Sequence, residues 1–386
     1  MRSEISHLAM KIAALTSNQP GETRAPLTPD STAKLVKLGA QVEIETGLGL
    51  GAGYADAAYV TAGATIATDR RALLGSADLV LRIRKPPVED IPLLKSGAIH
   101  ASLLDPFNER DLIDKLAAQG VSAISMELIP RTTRAQKMDV LSSQANLGGY
   151  IAVILAADHA NKIFPMMTTA AGTILPAKVF IIGAGVAGLQ AIATARRLGA
   201  KVTAYDTRPV VEEQVKSLGA QFLKIDIGET GQTKDGYAKA LTPEQVQKQQ
   251  DAMKKTCGDS DIVITTAQIF GRKAPILITT AMLDAMKPGS VIVDMAIETG
   301  GNVAEAQLDK VVDRKGVKIV GIGNLPSRVP LHASQVFSAN FVSLIEEFWN
   351  KESKSFVLKP DDEIIKGCLV THGGKIVNEK LTAKPG

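Results

Sequence analysis

Residues 178–206 read KVFIIGAGVAGLQAIATARRLGAKVTAYD. An apolar, β-branched run from Val179 to Ile182 meets Gly183-Ala184-Gly185-Val186-Ala187-Gly188. An alanine- and leucine-rich helix follows to about Leu198, and Gly199 ends it. A second strand, Val202 to Tyr205, stops at Asp206. Strand, glycine turn, helix, strand and acid come in the order and length of a dinucleotide-binding βαβ unit. Gly183 permits the tight turn, Gly185 lets a pyrophosphate approach the backbone, and Gly188 lets helix and strand pack closely. The helix N-terminus offers unpaired N–H groups to the phosphates. Asp206, 18 positions after Gly188, is placed to accept bonds from both ribose hydroxyls. A carboxylate about 4 Å from a 2′-phosphate costs about 1–4 kcal/mol per charge pair, which favours NAD(H) over NADP(H). An arginine just after this strand can hold a 2′-phosphate, but with Asp206 in place Arg208 reads as solvated or beside the adenine.

Around this unit the chain has room for two domains. It has 386 residues, 45% of them hydrophobic and only 4% aromatic, as in α/β proteins with helices packed tightly on sheets. The net charge of +4 comes from interspersed acids and bases, so no nucleic-acid-binding arm is indicated. Cys257 and Cys368 are too few for a disulfide framework and point to a reducing compartment. No apolar run approaches the length of a membrane span, and the start, MRSEISHLAM, lacks the apolar core of a signal peptide. The histidines show no metal-ligand spacing, so no metal is expected.

Strands are expected at 11–15, 42–44, 78–83, 98–103 and 121–128, with helices between them, one capped at Thr28-Pro29-Asp30. A long helix over 139–162 leaves this first domain. Residues 164–176, FPMMTTAAGTILP, read as a projecting apolar hairpin, a candidate dimer contact or simply a cover for its own domain. The second domain has six expected strands, at 178–183, 201–206, 221–226, 261–267, 290–296 and 317–322. Its long polar segment 228–244 carries Gly236 and Tyr237 and reads as a mobile lid or a loose insertion. A second long helix, Leu331 to Trp349, returns the chain, and the tail from 353 to 381 rejoins the first domain as strands. The fold class is therefore α/β, with two Rossmann-like parallel-sheet domains. They are 1–140 completed by 330–386, and 141–329, joined by two long helices with the cofactor cleft between them.

At the end of the strand at 121–128 comes a run from Arg131 to Gln144, dense in polar groups of limited reach: Gln136, Asp139 and Ser142. Such donors and acceptors suit a nicotinamide carboxamide; helix capping and a solvated loop also explain them.

Several stretches together carry a resemblance: PRTTRAQKMDVLSSQANLGGY, GAGVAGLQAIATARRLGA, DGYAKA, ITTAQIFGRKAP, KPGSVIVDMAIETGGN and NLPSR. They closely resemble the NAD(H)-binding domain of proton-translocating nicotinamide nucleotide transhydrogenases. PGETRAPLTPDSTAKLVKLGA fits the signature that this family shares with alanine dehydrogenases. The resemblance spans residues 11 to about 378. It implies that Arg131, Gln136, Asp139 and Ser142 surround the nicotinamide, that Asp206 binds the adenosine ribose and that the Tyr237 loop is a lid. The cofactor contacts expected along these motifs are Gly183, Gly185, Val186, Ala187, Gly188, Asp206, Thr207, Arg208, Gly236, Tyr237, Thr266, Ala267, Glu298 and Asn302.

The resemblance also implies a reaction and an assembly. A hydride would pass directly between NAD(H) here and NADP(H) on a partner subunit, coupled to proton movement through a membrane-spanning subunit. The type implied is the Si-specific/Re-specific one. The chain would be a homodimer through hairpin 164–176, cytoplasmic, and held at the inner face of the cell membrane by those partners. Two other readings remain open. One is an alanine dehydrogenase, which needs a lysine and a histidine at the substrate. Here Arg84 stands where the lysine would fall, with Lys85 adjacent, and ASLLDPFN at 101–108 holds no histidine. His100 lies upstream and reads as a core or strand-end residue. The other is a non-catalytic NAD-binding sensor.

Overall fold

A computed structural model of the chain describes residues 9–226, 228, 231, 241–268 and 271–382. The chain divides into two compact units: residues up to Gln144 together with those from Val329 onward, and Ala145–Arg328.

The first unit is built on an eight-stranded sheet. Lys11–Ala14 pairs in parallel with Gln41–Glu45 on one side and Leu79–Arg84 on the other. Thr65–Ala67 extends one edge; Ile99–Leu103 and Ser122–Ser125 extend the other, all parallel. Residues buried on both faces explain the near-continuous apolar runs, as in Leu79–Arg84, where five of six are buried. Helix Pro29–Lys37 starts where its sequence says it should. The Thr28 side chain accepts the Ser31 N–H at 3.3 Å and Pro29 occupies the first turn.

Three local expectations for this unit are corrected. The strand at 121–128 ends at Ser125 and passes into a 3-10 turn, Met126–Leu128. Thr65–Ala67 is an additional strand. The tail adds two antiparallel strands to this sheet, Leu369–His372 and Lys375–Ile376, and a short strand, Ser355–Phe356, outside it, but also a helix, Glu363–Cys368, capped by Asp362. Six residues are too few to display a helical period, so sequence pattern alone does not reveal it.

The second unit carries a seven-stranded sheet. Lys178–Ile182 lies at its centre, parallel to Lys201–Tyr205 and to Ile262–Thr265. Chain order reverses at that strand, which puts the natural ligand crevice at its carboxyl end. Val291–Asp294 and Val317–Gly321 continue the sheet in parallel. The seventh strand, Lys310–Arg314, runs antiparallel to Val317–Gly321 and was absent from the sequence expectation. Its turn has Lys315 at φ 51° and Gly316 at φ 84°, the signature of a tight hairpin. The expected strand 221–226 shrinks to Gln221–Phe222. One side of the sheet closes on Phe180, Ile182, Met253, Val263, Ile292 and Ile319, all buried. Helix Pro243–Asp259 has a full capping box, with Thr242 and Gln245 each accepting the other's backbone N–H.

Helix Val140–His159 revises the membrane expectation. It has 20 residues, and an 18-residue window of it, with a mean hydropathy of 1.4, is apolar enough to span a membrane by composition, yet half of that window is buried inside the fold. Ser143 donates to Asn340 Oδ1 at 2.6 Å and Gln144 to the Ala333 carbonyl at 3.1 Å. It reads as a core helix. Residues 167–174 form the expected hairpin, Met167–Thr169 against Gly172–Ile174. Met166 and Leu175 flank it, 64% and 69% exposed, an apolar surface with little reason to face water.

Candidate functional site

The glycine turn grows directly out of the sheet geometry. Gly183 continues its strand through a bond from its N–H to the Tyr205 carbonyl, 2.8 Å, then turns with φ 97°. Only glycine takes that backbone cheaply. A side chain on Gly188 would place Cβ 1.9 Å from the Gly183 carbonyl oxygen, so helix Val186–Arg197 sits flush on the strand. Gly185 differs. A Cβ there would meet only Arg208 Nη2, at 3.9 Å. Space therefore opens above Gly185, at a helix start that no side chain caps. Uncapped N–H groups beside open space are what a pyrophosphate requires. Val186 is exposed and Ala187 half-buried at this start.

Two glycines beyond the fingerprint support the turn. A Cβ on Gly149 would lie 2.2 Å from the Ala187 carbonyl oxygen, and one on Gly148 would lie 3.1 Å from Met295 Cε. The long helix thus approaches the phosphate turn backbone to backbone. The pair Gly148-Gly149 in the middle of a helix was the available signal, because glycine there otherwise only weakens the helix.

Asp206 stands next to the turn, its Oδ2 accepting the Ala184 N–H at 2.8 Å. Of the two places expected for Arg208, solvent is not the one it takes. Its Nε donates to Asp206 Oδ1 at 2.9 Å and its Nη2 to Oδ2 at 2.7 Å, a bidentate fork with the side chain 15% exposed. A cavity of about 260 Å³ opens beside this pair, lined by Asp206, Thr207, Pro209, Glu212, Phe222 and Lys224 among others. Tyr205 contributes to its wall, and burial pushes the phenol up to about 12.

Thr266 and Ala267 lie on the far side of the turn. Thr266 donates to the Gly183 carbonyl at 3.1 Å, which ties the two strand ends together. Asn302, expected as a contact, is fully buried. Its amide bonds Ala267 O, Pro275 O and the Ala267 N–H, so it shapes the 266–268 loop from behind and presents nothing to a ligand. Behind it, Asp294 accepts bonds from Thr265 Oγ1 and from the N–H groups of Ala296, Asn302 and Val303. Burial pushes this carboxyl above its usual range. Glu298 is exposed on the next 3-10 turn, at the same carboxyl edge of the sheet, with Oε2 accepting the Asn324 N–H. Gly236 and Tyr237 lie outside the described residues.

In the first unit the segment 131–144 is anchored at several points. Asp139 accepts the Ser142 N–H at 2.9 Å and the Ser142 hydroxyl at 2.6 Å, starting the long helix, and lies 3.7 Å from Arg131 Nε. Gln136 is exposed on a short 3-10 turn, Gln136–Met138. Sequence reading missed the charges that underlie this segment. Glu22 and Arg24 form a buried bidentate pair, Arg24 Nη1 donates to Gln144 Oε1 at 2.8 Å, and Arg84 Nε to Glu22 at 3.2 Å. The close spacing of acid and base in Glu22-Thr23-Arg24, within an otherwise polar loop, was the only clue.

A two-domain α/β protein whose second domain carries a complete dinucleotide-binding βαβ unit is the class these features define. The C-terminal domain of the alanine dehydrogenase/PNT family matches residues 152–379, and the N-terminal domain of that family matches 16–148. The chain belongs to this family. It is 45% identical to an NAD(P) transhydrogenase alpha-subunit chain of Rhodospirillum rubrum, over 97% of this chain and 100% of that one. The crystal structure of transhydrogenase from Sinorhizobium meliloti matches with a TM-score of 0.86 at 44% identity, covering 95% of this chain and 100% of the other. An L-alanine dehydrogenase structure matches with a TM-score of 0.80 at 25% identity, covering 96% and 98%.

Proposed function

We propose that this chain is the NAD(H)-binding subunit of a proton-translocating NAD(P) transhydrogenase. In this reading a hydride moves directly between NAD(H) here and NADP(H) on a partner subunit, and a separate membrane component couples that step to proton translocation. The observation that carries nucleotide binding is the Asp206 carboxylate fixed by the Ala184 N–H at an uncapped helix start with open space over Gly185. The dinucleotide, when bound, supplies the hydride-carrying ring. The protein's residues do the rest. Gly183, Gly185 and Gly188 admit the pyrophosphate; Asp206 holds the adenosine ribose; Arg131, Gln136, Asp139 and Ser142 orient the nicotinamide carboxamide.

Direct transfer between two nicotinamides abstracts no proton from a substrate, so the site needs positioning groups and exclusion of water, not a general base. Asp139, held by Ser142 and near Arg131, suits positioning. Alanine oxidation fits less well. His100 is buried at 0% exposure inside its strand, where burial and the Arg82 charge pull the imidazole down to about 3. Lys85 is paired with Glu109.

Homodimerisation through 164–176 would cover Met166, Met167, Ile174 and Leu175, which are all exposed in a single chain. Docking to the NADP(H)-binding subunit would keep this chain at the inner face of the cell membrane. The test is a mixing assay: this chain, NADH, an NADP analogue and an isolated NADP-binding transhydrogenase subunit. Hydride transfer should appear only with both proteins present. NADH formation from L-alanine and NAD by this chain alone would overturn the reading.

A further inference from the structure

Asp206 does not stand open at the end of its strand. Oδ1 accepts the Arg208 N–H at 2.8 Å and its Nε at 2.9 Å; Oδ2 accepts Ala184 N at 2.8 Å and Arg208 Nη2 at 2.7 Å. Those bonds use the roughly four lone-pair sites a carboxylate has. The two side chains are 6% and 15% exposed, so this is no loosely solvated surface pair. The guanidinium also leans over the phosphate turn, since Arg208 Nη2 is the atom a Cβ on Gly185 would meet.

NADH and NADPH pose different problems to such a pair. A ribose diol needs acceptor sites on Asp206, and gains them as Arg208 lets go. A 2′-phosphate is repelled by the carboxylate, but it finds beside it a planar cation suited to bidentate phosphate contact. We propose, on the reading that NAD(H) occupies the 183–206 turn, that Arg208 is a specificity-determining residue that blunts the preference for NAD(H). Its charge screens Asp206, and discrimination against NADP(H) is set by the pair, below the level that Asp206 alone would give.

NADH and NADPH share the same pyrophosphate, adenine and nicotinamide. The ratio of their dissociation constants therefore isolates the 2′ end of the ribose. The full chain, its Asp206→Ala variant and its Arg208→Ala, Arg208→Gln and Arg208→Lys variants are titrated with each nucleotide by reduced-nicotinamide fluorescence. Thermal melting checks that each variant is folded. Arg208→Ala is expected to raise the NADPH-to-NADH ratio of dissociation constants about tenfold or more, the scale of one nearby charge lost. Arg208→Gln, which keeps the size, should do the same if the alanine variant fails to fold. Arg208→Lys, which keeps the charge, should hold the ratio near that of the parent chain. A ratio that is unchanged or lower in both neutral variants overturns the inference. Failure of the underlying reading looks different: the parent chain binds neither nucleotide, or Asp206→Ala leaves both affinities as they were.

Discussion

Both units wind their central strands in the same order, and in both an acid stands at the end of the second strand or just past it. In the first unit the Glu45 carboxylate accepts the Thr16 N–H at 2.8 Å; in the second, Asp206 accepts the Ala184 N–H at the same distance. Each acid is also paired with an arginine, Arg70 in one case and Arg208 in the other. The turns after the first strands differ. Leu15 and Thr16 occupy the turn in the first unit, and the Thr16 hydroxyl is itself bonded to Glu45. In the second unit Gly183-Ala184-Gly185 leaves open space over Gly185, next to the Asp206–Arg208 pair. Arg70 is further tied to Asp90, which holds the buried Arg82, so the acid of the first unit belongs to a core charge network. Arg208 is two residues from its acid, in the half-buried turn after the strand. One topology thus yields a structural network or a nucleotide cradle, according to whether the turn has side chains.

Restoring one methyl group to the cradle should undo that difference. Gly188→Ala puts a carbon 1.9 Å from a backbone oxygen, which cannot move without shifting the strand. It should lower the melting temperature and weaken NADH binding by about a hundredfold, the upper range for overpacking a tight site. Gly185→Ala sharpens the point. Its added carbon meets only the end of a flexible arginine, so melting should hardly change while NADH binding still falls. Equal melting losses in the two variants would mean that both glycines serve packing alone.

The proposed function gives Asp139 of the first unit a role through its side chain, and a single substitution tests it. Asparagine keeps an oxygen for the Ser142 N–H, so the start of the long helix survives. It removes the charge facing Arg131. Asp139→Asn should cut hydride transfer to an NADP-binding partner by about ten- to a hundredfold, the cost of misplacing a reacting group. The NADH dissociation constant should move far less. Equal losses in both would make Asp139 a simple binding residue.

Legibility in the sequence divides along the same line. Gly183, Gly188 and Asp206 were readable because the demand on each is local: a turn, a close packing, an acid at a fixed distance from them. The alternation of strands and helices was readable for the same reason. For Arg208 the solvated alternative fails, because residue type does not tell whether a cation faces water or its neighbour's carboxylate. The motif of Asn302 shows only that it lies at the right edge of the sheet; its bonds to Ala267 and Pro275 exist only once the loops have met. Glu22, Arg24 and Gln144 combine across 120 positions, a pairing no spacing rule contains. Lys310–Arg314 was missed although Lys315-Gly316 marks its turn, because the strand is mostly polar at an exposed edge.

The smallest expected effect concerns the charges buried in the first sheet. His100 lies on strand Ile99–Leu103 with its Nε2 3.1 Å from the Ser102 hydroxyl and Arg82 and Asp90 close by. Burial first, then the Arg82 charge, pulls the imidazole down to about 3. The Asp90 carboxyl, in spite of its burial, is held below its usual range by Arg70 and Arg82. A base whose folded pKa is depressed leaves stability intact above its unfolded value of about 6.5 and drains it as pH falls towards the folded value. The slope tends towards about 1.4 kcal/mol per pH unit for one proton taken up on unfolding. His100→Asn should therefore flatten the fall in unfolding free energy between about pH 6 and 4.5, a window above most of the Asp90 titration. Denaturant melts at several pH values give that slope, and the slope rather than the absolute stability is the readout, because asparagine changes packing too. An identical slope in the variant would mean that His100 is already protonated in the folded chain, and that the first sheet tolerates one more buried cation beside Arg82.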